Sequence, residues 1–142
     1  MFARAEWVSQ TGDAAAYAPY LRKSPLWGVS PKSVLIQIAK GDETGPNPRN
    51  TAIIRAGDLA DRTTFFRNDL AYFEDPTVPK DPHGFLNRLT SPGITGAVAR
   101  GAQMQAAVFL ASDGTSIVWP EPRRFFEVPI VPPLPEVLAF IP

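Results

Sequence analysis

The chain has 142 residues, enough for one compact domain with a buried core and too few for two. Hydrophobic residues make up 44% and charged residues 20%, which excludes a disordered tail and fits a folded globular chain. Lys plus Arg equals Asp plus Glu at 14 each, so there is no basic excess for nucleic-acid phosphates, and nucleic acid is set aside as a partner.

The absence of cysteine excludes disulfides and thiolate chemistry and leaves the compartment unread. The opening Met1-Phe2-Ala3-Arg4-Ala5-Glu6-Trp7 has no apolar run of signal-peptide length, and no stretch is long enough to span a bilayer. The expectation is a cytoplasmic chain as given, unless a longer parent protein is secreted. Zero net charge offers little colloidal protection, so self-association is also expected.

In chain order, Asp13 to Arg22 predicts a short helix capped by Asp13 and limited to a turn or two by Pro19. Ser33 to Ala39 predicts a strand. Its near-continuous apolar run is that of a strand covered on both faces. Asn47-Pro48 predicts a helix start, with Asn47 as N-cap and Ala52, Ile53, Ala56 and Leu59 as the buried face. Thr63 to Arg67 predicts a second strand, followed by a Pro- and Asp-rich loop from Asn68 to Pro82 that ends at His83. A second long helix is predicted between Ser91-Pro92 and Ala111, with Ile94, Val98, Met104, Val108 and Phe109 buried and Gly114 as its stop. The Pro-rich tail from about 116 to 142 predicts short strands near Ile117–Trp119 and Phe125–Val128. No repeat or linker divides the chain, so residues 1–142 read as one domain.

Strand, helix, strand, loop, helix is the alternation of an open α/β sheet. Functional groups in such sheets lie beyond the carboxyl ends of the strands. Asp42 follows the first strand, and His83 lies on the connection after the second.

Val34-Leu35-Ile36-Gln37-Ile38-Ala39-Lys40-Gly41-Asp42, with Thr44 and Pro46 following, resembles the acid-bearing strand of the serine α/β-hydrolases. Asp81-Pro82-His83-Gly84-Phe85 resembles that family's histidine loop. The likeness runs from about Ser33 to Leu86 and is nearest to bacterial lipase- or esterase-like members. It implies the last strands and helices of a partial α/β-hydrolase sheet, with Asp42 as the acid and His83 as the base. Gly45 departs from the family, which often has Val there, and predicts a looser acid loop.

The family's nucleophile belongs upstream of the acid, in Gly-x-Ser-x-Gly on a strand-to-helix elbow. The upstream serines are Ser9, Ser24, Ser30 and Ser33. Ser30, in Gly28-Val29-Ser30-Pro31-Lys32, has Lys32 in place of the second Gly. Pro31 after it has no N–H for an oxyanion hole, and the serine precedes a strand instead of following one. Ser116 comes after the histidine and also precedes a predicted strand. The chain is therefore expected to carry an acid and a base without a nucleophile, and to be inactive on esters alone.

Each residue has a plainer reading. Asp after Gly at a strand end is commonly a turn former, and a His beside Pro and Gly is commonly a loop residue. Glu43 is a rival acid. Asp69, Glu74, Asp75 and Asp81 surround the loop without metal-ligand spacing, so no metal and no cofactor is expected. Trp7, Trp27 and Trp119 read as core or surface anchors, and Val131-Pro132-Pro133-Leu134-Pro135 as a surface-wrapping or extended recognition segment. Two functions follow: part of a hydrolase completed by a second chain or a longer parent, or a non-catalytic interaction domain derived from the same fold. In either case the first strand has one predicted neighbour, and its open edge invites association.

Overall fold

The computed structural model describes residues 12–142; Ser9 and Trp7 lie outside the described residues. Among the described residues the chain is a mixed α/β fold with four α-helices around a three-stranded sheet. Helix α1 (Ala14–Leu21) starts where expected, with Asp13 Oδ1 accepting from the Ala15 N–H at 3.0 Å. Strand β1 (Ile36–Ala39) leads into helix α2 (Asn47–Gly57), and strand β2 (Thr63–Phe66) into helix α3 (Asn68–Glu74). Helix α4 (Gly93–Ala111) and the two-residue strand β3 (Phe126–Glu127) follow.

Strands β1 and β2 run parallel, from Ile36 opposite Thr63 to Ala39 opposite Phe66. β3 adds antiparallel on the far side of β2. Among the described residues β1 therefore pairs on one edge alone, as the sequence implied. The strand is shorter than the predicted Ser33–Ala39. β2 begins at Thr63 behind a 3-10 turn (Ala60–Arg62), so Ser33 to Leu35 meet no backbone partner in β2.

The alternation of side chains along the strands builds two apolar layers. Ile38 and Phe65 face Ile54 of α2 together with Ile130. Ala39 and Phe66 face Val98 and Ala102 of α4, with Phe85, Phe125 and Phe126. Phe66 stacks obliquely on Phe85 and Phe126, at centroid distances of 5.1 and 5.6 Å. Each such side chain removed from water contributes roughly 1.5–3 kcal/mol. This sheet with a helix on each face explains the unbroken apolar reading of β1.

Both amphipathic faces are partly displaced from their predicted positions, although Leu59, Val98 and Phe109 are buried as expected. In α2 the buried stripe is Thr51, Ile54 and Gly57, with Ala52, Ile53 and Ala56 half-buried. The reason is α1, which packs along α2 and brings its Ala18 carbonyl to where a Cβ on Gly57 would lie 3.0 Å away. In α4 Met104 is 63% exposed and Gln105 is buried in its place. Gln105 is fully bonded there. Its Nε2 donates to Thr64 Oγ1 at 2.8 Å and to the Val118 carbonyl at 2.7 Å, and its Oε1 accepts from Gln37 Nε2 at 2.8 Å. A satisfied buried amide is tolerated where an unpaired one would not be.

Two further expectations are corrected. Ile117–Trp119 forms no strand, because the Val118 carbonyl bonds the Gln105 side chain instead of a neighbouring backbone. The loop expected from Asn68 onward begins as helix α3, whose Leu70 and Ala71 are good helix formers and whose end comes before Pro76. The segment after β3 packs onto the rest of the fold, with Ile130 buried in the core. The Ile130 N–H donates to the Thr63 carbonyl at 2.9 Å, Leu134 packs on the α2-side core, and Glu136 pairs with Arg55. No described helix is long and apolar enough to cross a membrane.

Candidate functional site

The carboxyl end of β1 is a tight turn held from two sides. Gly41 has φ +80°, and a Cβ there would lie 2.6 Å from the Ala139 carbonyl oxygen, so only glycine fits. Asn47 is buried beneath the turn. Its Oδ1 accepts from the Gly41 N–H at 3.3 Å, and its Nδ2 donates to the carbonyls of Val137 at 2.9 Å and Leu138 at 3.3 Å. This corrects the predicted N-cap: Pro46 holds that position, and the Asn47 side chain instead ties the strand end to the last residues of the chain.

The turn presents Asp42. Its Oδ1 accepts from the N–H groups of Thr44 at 2.8 Å and Gly45 at 2.7 Å. Gly45 thus holds the acid loop rather than loosening it, and a Cβ there would sit 3.6 Å from Asp42 Oδ2, an ordinary contact. Across a separation of 41 positions, His83 Nδ1 lies 3.1 Å from Asp42 Oδ1 and 3.2 Å from Oδ2. The two residues chosen from the sequence are in direct contact. Glu43 is exposed and makes no such contact. Partial burial pushes the Asp42 carboxyl up, but the Gly45 N–H, the His83 ring and the Thr44 N–H outweigh it and hold it below its ordinary 3.8. Asp42 is therefore ionised near neutrality and favours the imidazole tautomer with its proton on Nδ1. The other ring nitrogen, Nε2, makes no hydrogen bond to a described residue, and the His83 side chain is 54% exposed. An anchored carboxylate, a ring oriented by it and a free basic nitrogen can accept a proton and stabilise the resulting cation.

The histidine loop is held by residues the sequence reading did not single out. Asn68 Nδ2 donates to the carbonyls of Pro79 at 3.2 Å and Lys80 at 3.0 Å. Arg88 Nη2 donates to the carbonyls of Asp81 at 3.4 Å and His83 at 3.3 Å. Asp81 appeared in the sequence as the first residue of the histidine-loop resemblance and as part of an acidic neighbourhood, with no role of its own. Its place two residues before His83 in Asp-Pro-His was the available signal for a side chain that bonds the backbone ahead of it.

The described serines lie elsewhere. Ser33 packs against Gly114 at the amino end of β1, with Ser30 three residues before it. Ser116 is two residues beyond Gly114, with its N–H bonded to Ser112 Oγ. Ser24 folds back on the Pro19 carbonyl. None bonds His83.

The remaining acids are occupied in other ways. Glu74 pairs with Arg124, and Asp75 bonds Thr77. Asp69 pairs with Lys40 and Arg67, both at 2.8 Å, and Arg67 also pairs with Glu127 at 2.9 Å. Among the described residues no three His, Cys, Asp or Glu side chains group as metal ligands. Burial pushes the Asp69 carboxyl up, but Arg67 and Lys40 overcome it and bring it down to about 2 from 3.8. A depressed carboxyl gives up its proton more readily in the folded chain than in the unfolded one. Its stabilisation is thus complete above the ordinary value and is lost as pH falls from 3.8 towards about 2. Asp69→Asn is expected to flatten the loss of stability across that window, read as a urea midpoint that changes less with pH than in the parent chain.

Comparison with known proteins adds no relative. The chain matches no family model, no curated protein and no solved structure. What can be said of its chemistry comes from the Asp42–His83 pair and its surroundings.

Proposed function

We propose that the chain is the C-terminal part of a lipase- or esterase-like serine α/β-hydrolase, supplying the acid and the base of a triad whose nucleophile comes from a second chain or a longer parent. The observation that carries this reading is the Asp42–His83 contact at the carboxyl ends of a parallel strand pair, with Nε2 unbonded to any described residue. The order strand, acid, helix, strand, short helix, histidine, helix agrees with it, α3 being an addition to the expected loop. In the reaction, Nε2 takes the proton of an incoming nucleophile as that oxygen attacks an ester carbonyl. It then gives the proton to the departing alcohol, and water releases the acyl group by the same route. An open groove of about 450 Å³ beside the acid turn, lined by Lys40, Tyr72, Phe73 and Phe140 among others, offers room for an apolar group.

Among the described residues the outer edge of β1 has no partner strand, which supports the requirement for a further chain. Half of its peptide groups point away from β2, and Val34, Leu35 and Ile36 are half-exposed. The test is hydrolysis of a short activated ester. The isolated chain should give none and take no label from a phosphonate probe. Joined to the polypeptide encoded upstream of Met1, or mixed with a neighbouring gene product bearing Gly-x-Ser-x-Gly, it should gain activity that His83→Ala removes. Labelling of a serine in the isolated chain would overturn the reading. Inactivity of a soluble, assembled complex would favour the non-catalytic interaction domain.

A further inference from the structure

The acid and the histidine arrive on two separate loops, and a second carboxylate joins them. Asp81 Oδ1 accepts from the His83 N–H at 2.9 Å and from the Glu43 N–H at 3.2 Å. The first bond is the local turn expected of an Asp two residues ahead. The second reaches across 38 positions to the residue next to Asp42. A single oxygen atom thus sets the spacing of both backbone segments that carry the pair. Arg88, bonded to the carbonyls on either side of Pro82, holds the same loop from below.

We propose that Asp81 is the positioning residue of the acid–base pair, keeping the His83 Nδ1–H directed at the Asp42 carboxylate and Nε2 without a proton. The inference rests on the reading of Asp42 and His83 as an acid–base pair. The physical need is clear from exposure. At 54% exposed, the His83 ring is not fixed by packing, so its orientation depends on backbone placement and on one contact with Asp42. A loop shift of about 1 Å lengthens that contact beyond hydrogen-bond range. The ring then turns freely and both tautomers exchange. Asp81 itself touches no reacting atom.

The test is the tautomer of His83, read from its ring ¹⁵N shifts near neutral pH in the full chain. The parent should show the proton on Nδ1. Asp81→Asn keeps an oxygen able to accept both N–H groups and should retain that signature. Asp81→Ala loses both bonds, and the Nδ1 preference should be lost while the melting transition persists. An Ala variant with the parent signature would overturn the proposal, as would an Asn variant that is folded yet behaves like Ala. Amide exchange in the parent provides a measurement independent of any variant: the Glu43 N–H should be protected, and rapid exchange there would equally overturn it. None of these readouts needs a nucleophile. Failure of ester hydrolysis after complementation would therefore count against the hydrolase reading alone, and a silent Asp81→Ala against this proposal alone.

Discussion

On the proposed hydrolase reading, Asp42→Asn is expected to lower the kcat of the chain joined to its missing part by about 10⁴-fold, on the order of 5.5 kcal/mol in the barrier, with little change in KM. The size follows from which of its hydrogen bonds survive. An asparagine carbonyl oxygen can still accept from the Thr44 and Gly45 N–H groups, now at 2.8 and 2.7 Å, so the turn should stay in place. The amide nitrogen then faces His83 Nδ1, where the carboxylate oxygens lie at 3.1 and 3.2 Å. An NH₂ group in the Oδ2 place donates, and with the carbonyl in the Oδ1 place already taken up by two backbone N–H groups it favours Nδ1 as the acceptor and draws the ring proton to Nε2. The base is blocked in a protein that still folds. The measurement is kcat on an activated ester, paired with a melting curve for the variant. A loss below tenfold in a well-folded variant would remove Asp42 from the acid role.

Gly101→Ala is expected to destabilise the chain by about 2 kcal/mol, against the sign that helix propensity alone would give. In an open helix the change from Gly to Ala gains up to about 1 kcal/mol. Here a Cβ would sit 1.8 Å from the Glu121 carbonyl oxygen and 2.8 Å from its carbon. These are backbone atoms, so no rotamer relieves the clash. The segment must move off α4, and its Val118 carbonyl is pinned to the buried Gln105 side chain at 2.7 Å. Overpacking of this kind costs about 1–3 kcal/mol or more, which exceeds the propensity gain. For a chain of this size the melting temperature should fall by on the order of 5–10 °C. A higher melting temperature would mean that the segment does not lie against α4.

Much of this arrangement was legible because it is local. Asp13 ahead of an Ala-rich run, the unbroken apolar run before Lys40, and Pro92 before the long helix mark their elements by chemistry that acts within a few residues. Met104 and Gln105 show where such reasoning stops. Periodicity favours Met104, but the inward position belongs to Gln105, because Gln37, Thr64 and Val118 supply the partners that make its burial tolerable. Those partners come from three separate parts of the chain. Asn47 is the same case: a good cap by residue type, it serves instead as the pin between Gly41 and the last residues.

The acid turn and the histidine loop divide in the same way. Order along the chain and the resemblance to the hydrolase strand and histidine loop singled out Asp42 and His83, and Pro31 and Lys32 disqualified Ser30, since these are properties of short stretches of chain. That the carboxylate and the ring meet at 3.1 Å was decided by the parallel register of β1 on β2, which brings the two loops to one end of the sheet. That they are tied through Asp81, and that Gly45 anchors the acid, was likewise set by backbone groups brought together in space. Sequence separation carries no information about such meetings; the sheet's geometry does.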